Sequence, residues 1–327
     1  MTPIRCAVVG AGHFGRYHAQ KYAKLPGAQL VAVVDGNRAR GQALAEELGT
    51  SAETSLDAVI GRIDAATVAV PTHAHYDVAS RLLDAGIHVL VEKPIAETPD
   101  QAAALIALAA ARGRILQVGH LQRFLLQRMQ ILTRVTQPLF IEAVRIAPFK
   151  PRGTDVGVVL DLMIHDIDLI LALVNSRVVS VDAVGGPVVT DDEDIVNARL
   201  RFANGCVASA TASRIGFKTE RRLRIFQRDS YLSIDLAART LATFSRASGA
   251  PDASGMPAIK RDEVAFPDGD DLMDEIASFI ACVRDARPPL VSGEDGLIAL
   301  ETALRITRSI RETLLAAGLG DLVKPPR

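Results

Sequence analysis

The sequence predicts an α/β protein with a parallel sheet in its N-terminal part and a mostly antiparallel sheet in its C-terminal part. Over the first 120 residues, short β-branched runs alternate with longer Ala/Leu-rich segments, a rhythm typical of parallel strands joined by helical crossovers. After about residue 124, strand-like runs follow one another with few helices between them. We therefore expect a first domain over 1–123 and a second over 124–327, with a C-terminal helix that is able to pack back on the first domain.

The composition narrows the classes of partner. The 327 residues carry 37 Lys and Arg against 38 Asp and Glu, a net charge of -1, which removes the electrostatic basis for binding nucleic acid or an anionic membrane. No apolar run approaches the roughly 18 residues that a membrane span needs. The 3 cysteines, Cys6, Cys206 and Cys282, are widely spaced and form no CxxC pair. This usage predicts neither a disulfide framework nor a metal site, and it favours the cytoplasm as the compartment.

Five strands and one clearly marked helix are predicted in the first domain. The strands are nearly all apolar, as expected for strands that are covered on both faces. The helix after Glu97 has signals at both ends: Thr98 as N-cap, Pro99 at the first helical position, Gln101 closing a capping box and Gly113 as the stop. The strands are predicted at Ile4–Val9, Gln29–Val34, Ala66–Val70, Ile87–Val91 and Ile115–Gly119.

The second domain is predicted to combine a hairpin with further strands and three helices. The Ala203-Asn204-Gly205 turn joins the strands Ile195–Phe202 and Cys206–Ser213. The stretch Ser245–Pro257, rich in Ser, Ala, Gly and Pro, is interpreted as a mobile loop. The other strands are predicted at Leu139–Ala147, Val178–Val184, Arg222–Gln227, Tyr231–Leu236 and Thr240–Phe244, and the helices at about Val158–Val174, Asp271–Arg284 and Glu294–Ala317.

A glycine-rich turn after the first strand predicts a dinucleotide site. The turn reads Gly10-Ala11-Gly12-His13-Phe14-Gly15. Its three glycines allow a tight turn and a close approach of the backbone to a pyrophosphate, although a purely structural turn is the alternative. Asp35 supports the dinucleotide interpretation, because it ends the second strand at the spacing that binds the adenosine ribose hydroxyls. Asp35 would repel a 2′-phosphate while Arg38 leaves some tolerance for it, so NAD is the predicted cofactor.

Two more loops at the carboxyl ends of the predicted strands are expected to contact the cofactor. The loop after the third strand reads Val70-Pro71-Thr72-His73-Ala74-His75, and its histidines lack nearby cysteine or carboxylate companions, which favours a cofactor contact or a helix start over a metal site. The fourth strand ends in Glu92-Lys93-Pro94, where the proline forces an extended backbone at Lys93. Lys93 is expected to hydrogen-bond the reacting hydroxyl, and a solvated surface lysine is the alternative.

Asp161 and His165 form a candidate acid/base pair. Their spacing of four residues places both side chains on one face of a helix, one turn apart. A carboxylate that holds one imidazole nitrogen fixes the tautomer and raises the basicity of the ring, as a general base requires. A surface ion pair is the first alternative and a metal site the second, although spacing indicates no third ligand.

His120 and Arg123 lie at the end of the last predicted strand, in Gly119-His120-Leu121-Gln122-Arg123-Phe124, where the chain crosses into the second domain. Both side chains either line the substrate cleft or anchor the domain junction. The residues leave these two roles open.

Together these motifs resemble the glucose-fructose oxidoreductase, inositol dehydrogenase and rhizopine catabolism family, written Gfo/Idh/MocA. Val291-Ser292-Gly293-Glu294-Asp295-Gly296, followed by Ala299-Leu300-Glu301, adds to the resemblance. It implies a Rossmann domain followed by an α/β domain with a large, mostly antiparallel sheet that often supports homodimers or homotetramers. It also implies that Lys93 contacts the substrate hydroxyl and the nicotinamide, that His165 is the acid/base and that Asp161 is its partner.

Two runs in the second domain are similar to a narrower subgroup of the family. These runs are Ala147–Asp155, and Leu223–Gln227 followed by Tyr231–Asp235. The subgroup oxidises UDP-N-acetylglucosamine at C3 for an amino sugar of lipid A, which implies a UDP-sugar as the small-molecule substrate. A dehydrogenase of a free sugar or inositol is one alternative, and a non-catalytic dinucleotide-binding regulator is another.

A UDP-sugar needs cations that hold its diphosphate at a distance from the reacting carbon. Arg152 is the best candidate, because its loop leads directly into the Asp161 helix and carries the residues of the subgroup. The other candidates are equally explained as a charged strand edge that prevents aggregation. They are Lys150, Arg214, Lys218, Arg221, Arg222 and Arg224.

Overall fold

A computed structural model describes residues 2–150, 156–247 and 258–322, which divide into two compact units. The first unit contains residues 1–124 and 270–300, and the second contains 125–269 and 301–327. Residues 270–300 therefore depart from the expected division at 123/124. The reason is apolar packing, since Ile276, Phe279 and Ile280 share one buried cluster with Tyr22 and Leu90.

A parallel sheet forms the centre of the first unit. Its strands are β1 Ile4–Val9, β2 Ala28–Val34, β3 Ser51–Glu53, β4 Ala65–Val68, β5 His88–Glu92 and β6 Leu116–Gly119. The six strands lie in the order β3-β2-β1-β4-β5-β6, and every neighbouring pair is parallel, so the predicted parallel sheet is confirmed. β3 was not predicted, because its 3 residues, Ser51, Ala52 and Glu53, are too few to give a readable periodicity. β4 ends at Val68, two residues earlier than predicted.

Four helices lie between parallel strands, and two short helices follow the last one. In chain order the four are α1 His13–Tyr22, α2 Arg38–Leu48, α3 His75–Asp84 and α4 Pro99–Arg112, and the two are α5 Gln122–Arg128 and α6 Ile131–Arg134. The predicted capping residues of α4 are confirmed. The Gln101 N–H donates to Thr98 Oγ1 over 3.2 Å, the capping box is complete, and Gly113 ends the helix at a φ of 59°.

An eight-stranded sheet forms the second unit. Its strands are β7 Pro138–Ile146, β8 Val178–Gly186, β9 Ile195–Phe202, β10 Val207–Ser213, β11 Glu220–Gln227, β12 Ser230–Asp235, β13 Thr240–Arg246 and β14 Ile259–Ala265. They lie in the order β14-β13-β12-β11-β7-β10-β9-β8, and every pair except β7 with β10 is antiparallel, which confirms the predicted topology. The edge strand β14 was missed because exposed charged residues interrupt its apolar pattern.

Three longer helices complete the fold. They are α7 Ile164–Val174, α8 Asp271–Asp285 and α9 Gly293–Ala316. The predicted helix at 158–174 is not regular, because a π-helical turn over Val159–Met163 precedes α7. The predicted loop Ser245–Pro257 begins inside β13, and most of it lies outside the described residues. Among the residues that the structure describes, none of the helices has the length and apolar character that crossing a membrane requires.

Candidate active site

The glycine turn forms a cradle at the start of α1. Gly10 has a φ of +98°, and a Cβ atom there would lie 2.5 Å from the Ala69 carbonyl oxygen, so only glycine fits. A Cβ atom at Gly15 would lie 1.7 Å from the Gly10 carbonyl oxygen, which explains the close contact of turn and helix. A Cβ atom built at Gly12 meets none of the described atoms within 4 Å. Gly12 is also the N-cap of α1, so the cradle leaves space and helix N–H groups for a phosphate.

Asp35 lies at the end of β2, beside this cradle, and it is almost fully buried. Its carboxylate accepts hydrogen bonds from the Ala11 N–H at 2.6 Å and the Asn37 N–H at 2.7 Å, and from Arg40 Nε and Nη2 at 2.9 Å each. Burial acts to raise the pKa of Asp35, but the bonds from Arg40, Ala11 and Asn37 outweigh it and hold the pKa below its usual value. The carboxylate is therefore charged and fixed where a ribose is expected.

Arg40, and not Arg38, is the arginine that contacts Asp35. Asn37 caps α2 by accepting the Arg40 N–H at 3.1 Å, and this first turn directs Arg40 back towards the carboxylate. Arg38 lines a separate depression together with Gln42. The sequence analysis missed Arg40 because two arginines of equal chemistry lie two residues apart, on different sides of the helix.

A cleft of about 620 Å³ in the first unit contains the cradle and Asp35. Seven predicted cofactor contacts line it: Gly10, Gly12, His13, Phe14, Asp35, Val70 and Pro71. The predicted contacts Gly15, Arg38, Thr72, His75, Glu92 and Lys93 are not among its described lining residues. The cleft fits a dinucleotide, because an open glycine cradle for the pyrophosphate and a charged carboxylate for the ribose lie on its wall.

His75 lies behind Lys93 as a buried link between two loops. Its Nδ1 is 2.8 Å from the Pro94 carbonyl oxygen, and its Nε2 is 2.9 Å from the Val70 carbonyl oxygen. Burial lowers the pKa of His75, although both carbonyls and the Glu92 charge act in the opposite direction. The neutral ring donates to one carbonyl at a time, and it holds the backbone that follows Lys93.

Asp161 and His165 lie on one continuous helical segment of the second unit, and both are half-buried. Asp161 belongs to the π-helical turn and His165 to the first turn of α7, so the regular helix that the sequence predicted is replaced at this point by a wider one. π-helical turns are rare and occur frequently at functional sites.

Two buried arginines hold the surroundings of this segment, and sequence analysis did not assign either role. Arg145 on β7 donates two 2.7 Å hydrogen bonds to Asp166, and each side chain is only 3% exposed. Arg214 donates a 2.6 Å hydrogen bond to the Val156 carbonyl oxygen, just before the π-helical turn. This bond ties Arg214, one of the diphosphate candidates, to the backbone before the π-helical turn.

The remaining predicted site residues have different surroundings. His120 is buried, and the buried Arg123 donates a 3.3 Å hydrogen bond to Asp295 within the first unit. Arg152 lies outside the described residues. Arg224 pairs with Glu142 at 2.5 Å, and both are about one-third exposed. The pairing explains Arg224 as a surface ion pair on the sheet.

Comparison with known proteins places the chain in a family. Residues 4–120 match the model described as "Oxidoreductase family, NAD-binding Rossmann fold", and residues 143–231 match the "GFO/IDH/MocA C-terminal domain". The UDP-N-acetylglucosamine 3-dehydrogenase of Acidithiobacillus ferrooxidans is 39% identical over 96% of this chain and 99% of its own length. The scyllo-inositol 2-dehydrogenase (NAD(+)) of Bacillus subtilis is 26% identical, with 94% of each chain covered.

Solved structures agree with this placement. A structure of the Acidithiobacillus ferrooxidans enzyme superimposes with a TM-score of 0.90 at 38% identity, covering 96% of this chain and 99% of that one. Levoglucosan dehydrogenase in complex with NADH shares the fold, with a TM-score of 0.83 at 19% identity over 95% of this chain and 98% of that one. With both domain models matched in order and a close relative covered over its whole length, the chain belongs to the Gfo/Idh/MocA family of NAD-binding oxidoreductases.

Proposed function

We propose that the protein is an NAD-dependent dehydrogenase that oxidises the C3 hydroxyl of UDP-N-acetylglucosamine to the 3-keto sugar. The observation that carries the proposal is the 39% identity to the UDP-N-acetylglucosamine 3-dehydrogenase over 96% of this chain. Inositol dehydrogenases are more distant, at 26% identity for the scyllo-inositol enzyme, so a free cyclitol is the second candidate substrate. A 3-keto sugar nucleotide suits the synthesis of an amino sugar, in line with the lipid A pathway that the subgroup implies.

In this proposal the chain contributes binding, orientation and proton transfer. NAD, when bound, supplies the hydride acceptor, and the residues that would hold it line the cleft around Gly12 and Asp35. Lys93 binds the oxygen of the reacting hydroxyl. His165 takes the hydroxyl proton while the carbon-bound hydrogen leaves with its electron pair, and Asp161 supports the imidazole. His75 holds the Pro94 carbonyl and thereby the backbone at Lys93.

We assign the diphosphate of the substrate to Arg221, together with Arg152. Arg221 on β11 is in register with Arg145 on β7, so the two side chains lie on the same face of the sheet, the face against which Asp166 on α7 packs. Arg145 is already engaged by two bonds to Asp166. Arg221 is exposed at the surface. Partial desolvation and repulsion from Arg145 lower the pKa of Arg221 while Asp166 acts in the opposite direction, which supports two neighbouring cations. A diphosphate would satisfy this excess of positive charge.

The substrate is tested by following NADH formation with matched sugars. We expect turnover with UDP-N-acetylglucosamine and a much lower kcat/KM with free N-acetylglucosamine, because the free sugar lacks the diphosphate contacts. Equal efficiency on the free sugar would contradict the nucleotide-sugar assignment alone. Preferred turnover of inositols would favour the second candidate, and no turnover on any sugar of a broad panel would favour a non-catalytic regulator.

The acid/base assignment is tested with His165→Ala. Loss of a general base lowers kcat by roughly 10²–10⁴-fold, and NAD affinity should change little because only proton transfer is lost. His88→Gln is the matched control, because His88 lies at the N-terminal end of β5, whereas Lys93 follows the C-terminal end of the same strand. Near-normal turnover of His165→Ala across the pH range would assign the Asp161 and His165 pair a structural role. Lys93→Ala should impair both kcat and substrate binding.

We further propose a homo-oligomer that assembles through the large sheet and acts in the cytoplasm. Support for the oligomer comes from an aromatic row on the sheet face turned away from α7, made of Phe140, Phe226, Tyr231 and Phe244. Such a row is unusual on a solvated face. Support for the compartment comes from the three cysteines, which are buried and free.

A further inference from the structure

Glu275 on α8 is a buried acidic side chain that the proposed reaction does not use. It is 1% exposed, and neither of its carboxyl oxygens has a hydrogen-bond partner among the described residues. Leaving such a group without partners is costly, which calls for an explanation. Its surroundings supply one, because two other ionisable groups of the first unit lie beside it.

His18 on α1 and Glu92 at the end of β5 complete a buried cluster with Glu275. The His18 ring is fully buried, and its Nε2 lies 2.8 Å from Glu92 Oε1. One nitrogen or oxygen atom from each of the three side chains lies within 4.8 Å of the others. We name these three residues the acid cluster. The sequence gives no local signal for it, because the residues are widely separated along the chain.

Within the acid cluster, Glu92 is the residue whose surroundings favour a negative charge. Glu92 faces the His18 ring and accepts the Lys93 backbone N–H at 3.2 Å. Burial acts to raise the pKa of Glu92, but the His18 hydrogen bond and the electrostatic influence of His18, Lys93 and His75 outweigh it, so the pKa lies below its usual value. Burial and the Glu92 charge both raise the pKa of Glu275 well above that of an ordinary glutamate. Two carboxyl groups in one buried site cannot both ionise easily.

A metal ion is the other way to neutralise two carboxylates and an imidazole, and the geometry disfavours it. Two ligands on one tetrahedral zinc ion, each about 2.0–2.1 Å from it, would be about 3.3 Å apart. His18 Nε2 and Glu92 Oε1 are only 2.8 Å apart, which is the length of a hydrogen bond. The proton therefore explains the contact better than an ion does.

We propose that the Glu275 carboxyl is protonated in the folded protein and faces the Glu92 carboxylate as a neutral acid, so that the acid cluster presents one negative charge to Lys93 instead of two. Glu275 is then a positioning residue that acts on Lys93 through Glu92. That consequence rests on the proposed function of Lys93, whereas the protonation itself does not.

Among the described residues, Glu92 and Tyr22 interact electrostatically with Glu275, and His18 lies in the same cluster. The Lys93 charge acts on Glu92. Burial raises the pKa of Tyr22 well above its usual value, and its hydroxyl lies 2.9 Å from Thr67 Oγ1, so it stays neutral. Cys6 on β1 acts to raise the pKa of Tyr22, and burial raises the pKa of the Cys6 thiol itself. Gln117 on β6 reaches the Glu275 backbone carbonyl at 3.4 Å and carries no charge.

The stability test compares two glutamate to glutamine changes in the acid cluster. The pKa of Glu275 is higher in the folded than in the unfolded chain, so its contribution to stability is full below the ordinary glutamate pKa and is lost as the pH rises through the folded pKa. Glutamine does not titrate. We expect the melting temperature of Glu275→Gln, relative to wild type, to rise progressively from about pH 5 to about pH 9.

Glu92→Gln is the matched control, because the sign reverses. The pKa of Glu92 is lowered in the fold, so its stabilisation is present above the ordinary glutamate pKa and is lost as the pH falls. Glu92→Gln should therefore lower the melting temperature most at neutral and alkaline pH. A Glu275→Gln variant that loses stability in the same way as Glu92→Gln would overturn the proposal, since it would identify Glu275 as charged.

Infrared spectroscopy gives a second measurement. We expect the wild-type protein to show the carbonyl stretch of a buried carboxylic acid at neutral pH, and this band should disappear on raising the pH and be weaker in Glu275→Gln. The comparison with the variant assigns the band, because burial also raises the pKa of Glu193. Absence of this band would overturn the proposal. So would a stoichiometric divalent ion in the purified protein whose removal by a chelator lowers the melting temperature.

The action on Lys93 is measured separately through the pH profile of kcat/KM. Ionisation of Glu275 adds a second negative charge beside Glu92, the group on which the Lys93 charge acts, so we expect the profile on the alkaline side to shift in Glu275→Gln. An unchanged profile, together with the infrared band, would leave Glu275 protonated and remove its positioning role. If the protein turned over no sugar, the proposed function would fail while the infrared and melting data still decided the protonation.

Discussion

Asp35 shows at the scale of one residue how the cofactor preference is built. A negative charge at the ribose site opposes the 2′-phosphate of NADP, which predicts a preference for NAD. The structure adds that Arg40 holds both carboxylate oxygens at 2.9 Å while its own side chain is 55% exposed. Arg40 is thus a cation at the edge of the cleft that is held in an ion pair with Asp35.

Removal of Asp35 should therefore do more than remove a repulsion. In Asp35→Ser, Arg40 loses its partner and becomes available to a 2′-phosphate, so we expect the preference for NAD over NADP to fall by about tenfold or more, measured by calorimetry with both cofactors. Adding Arg40→Ala should cancel much of the gain in NADP affinity. Arg38→Ala is the control and should leave the ratio unchanged, whereas an effect of Arg38→Ala as large as that of Arg40→Ala would contradict the assignment.

The helical segment that carries Asp161 and His165 shows at the scale of one element how a site is held in place. The π-helical turn widens the start of this segment, and Arg214 holds the Val156 carbonyl just before it. Behind His165, the buried pair of Arg145 and Asp166 ties α7 to β7. The imidazole is therefore carried by a helix whose first turn is fixed by charge as well as by apolar packing.

Breaking the pair of Arg145 and Asp166 should be costly. Asp166→Asn leaves the Arg145 guanidinium buried without its counter-charge, and we expect a loss of about 3–5 kcal/mol in the free energy of unfolding, measured by urea denaturation. The double change Arg145→Met with Asp166→Leu should recover much of that loss, because it removes both charges. Glu142→Gln, at the partly exposed pair with Arg224, is the control and should cost about 1 kcal/mol or less. Equal losses of unfolding free energy at the two ion pairs would contradict the expectation that the buried pair matters more than the partly exposed one.

At the scale of the whole molecule, the proposed homo-oligomer rests on the face of the large sheet that is turned away from α7. The rings of Phe140, Phe226, Tyr231 and Phe244 follow one another across four neighbouring strands, with centroids 5.5, 4.7 and 5.6 Å apart. The Arg261 guanidinium lies 5.4 Å from the Phe244 ring and extends the row to β14. The row is continuous because the four positions are in register.

A charge in the aromatic row should dissociate the oligomer. Phe226 is 38% exposed at the centre of the row, so Phe226→Glu is expected to convert the protein to monomers in light scattering at micromolar concentration, with little loss of stability in the monomer. Val184→Glu is the control, because Val184 is 57% exposed on β8 and lies outside the row. A wild-type protein that is already a monomer at this concentration would contradict the proposed assembly.

The features predicted best from the sequence are those that depend on residues close together along the chain. The capping box of Thr98 and Gln101 was confirmed because both partners lie within one helical turn. The parallel sheet was predicted because strands covered on both faces are continuous apolar runs, and the glycine turn was predicted because its three glycines lie within six consecutive residues. The roles of Lys93, Asp161 and His165 are still predictions, since they rest on motifs and on the family.

Sequence alone therefore determined the two kinds of sheet, the glycine-rich turn and the family resemblance, because local periodicity and spacing encode them. Only the tertiary structure decided that Arg40 and not Arg38 holds Asp35, that Asp166 pairs with Arg145, and that residues 270–300 join the first unit. It alone placed Glu275 beside His18 and Glu92. The physical reason is that these contacts join residues whose separation along the chain carries no periodic signal, and packing of the apolar core sets which of them meet.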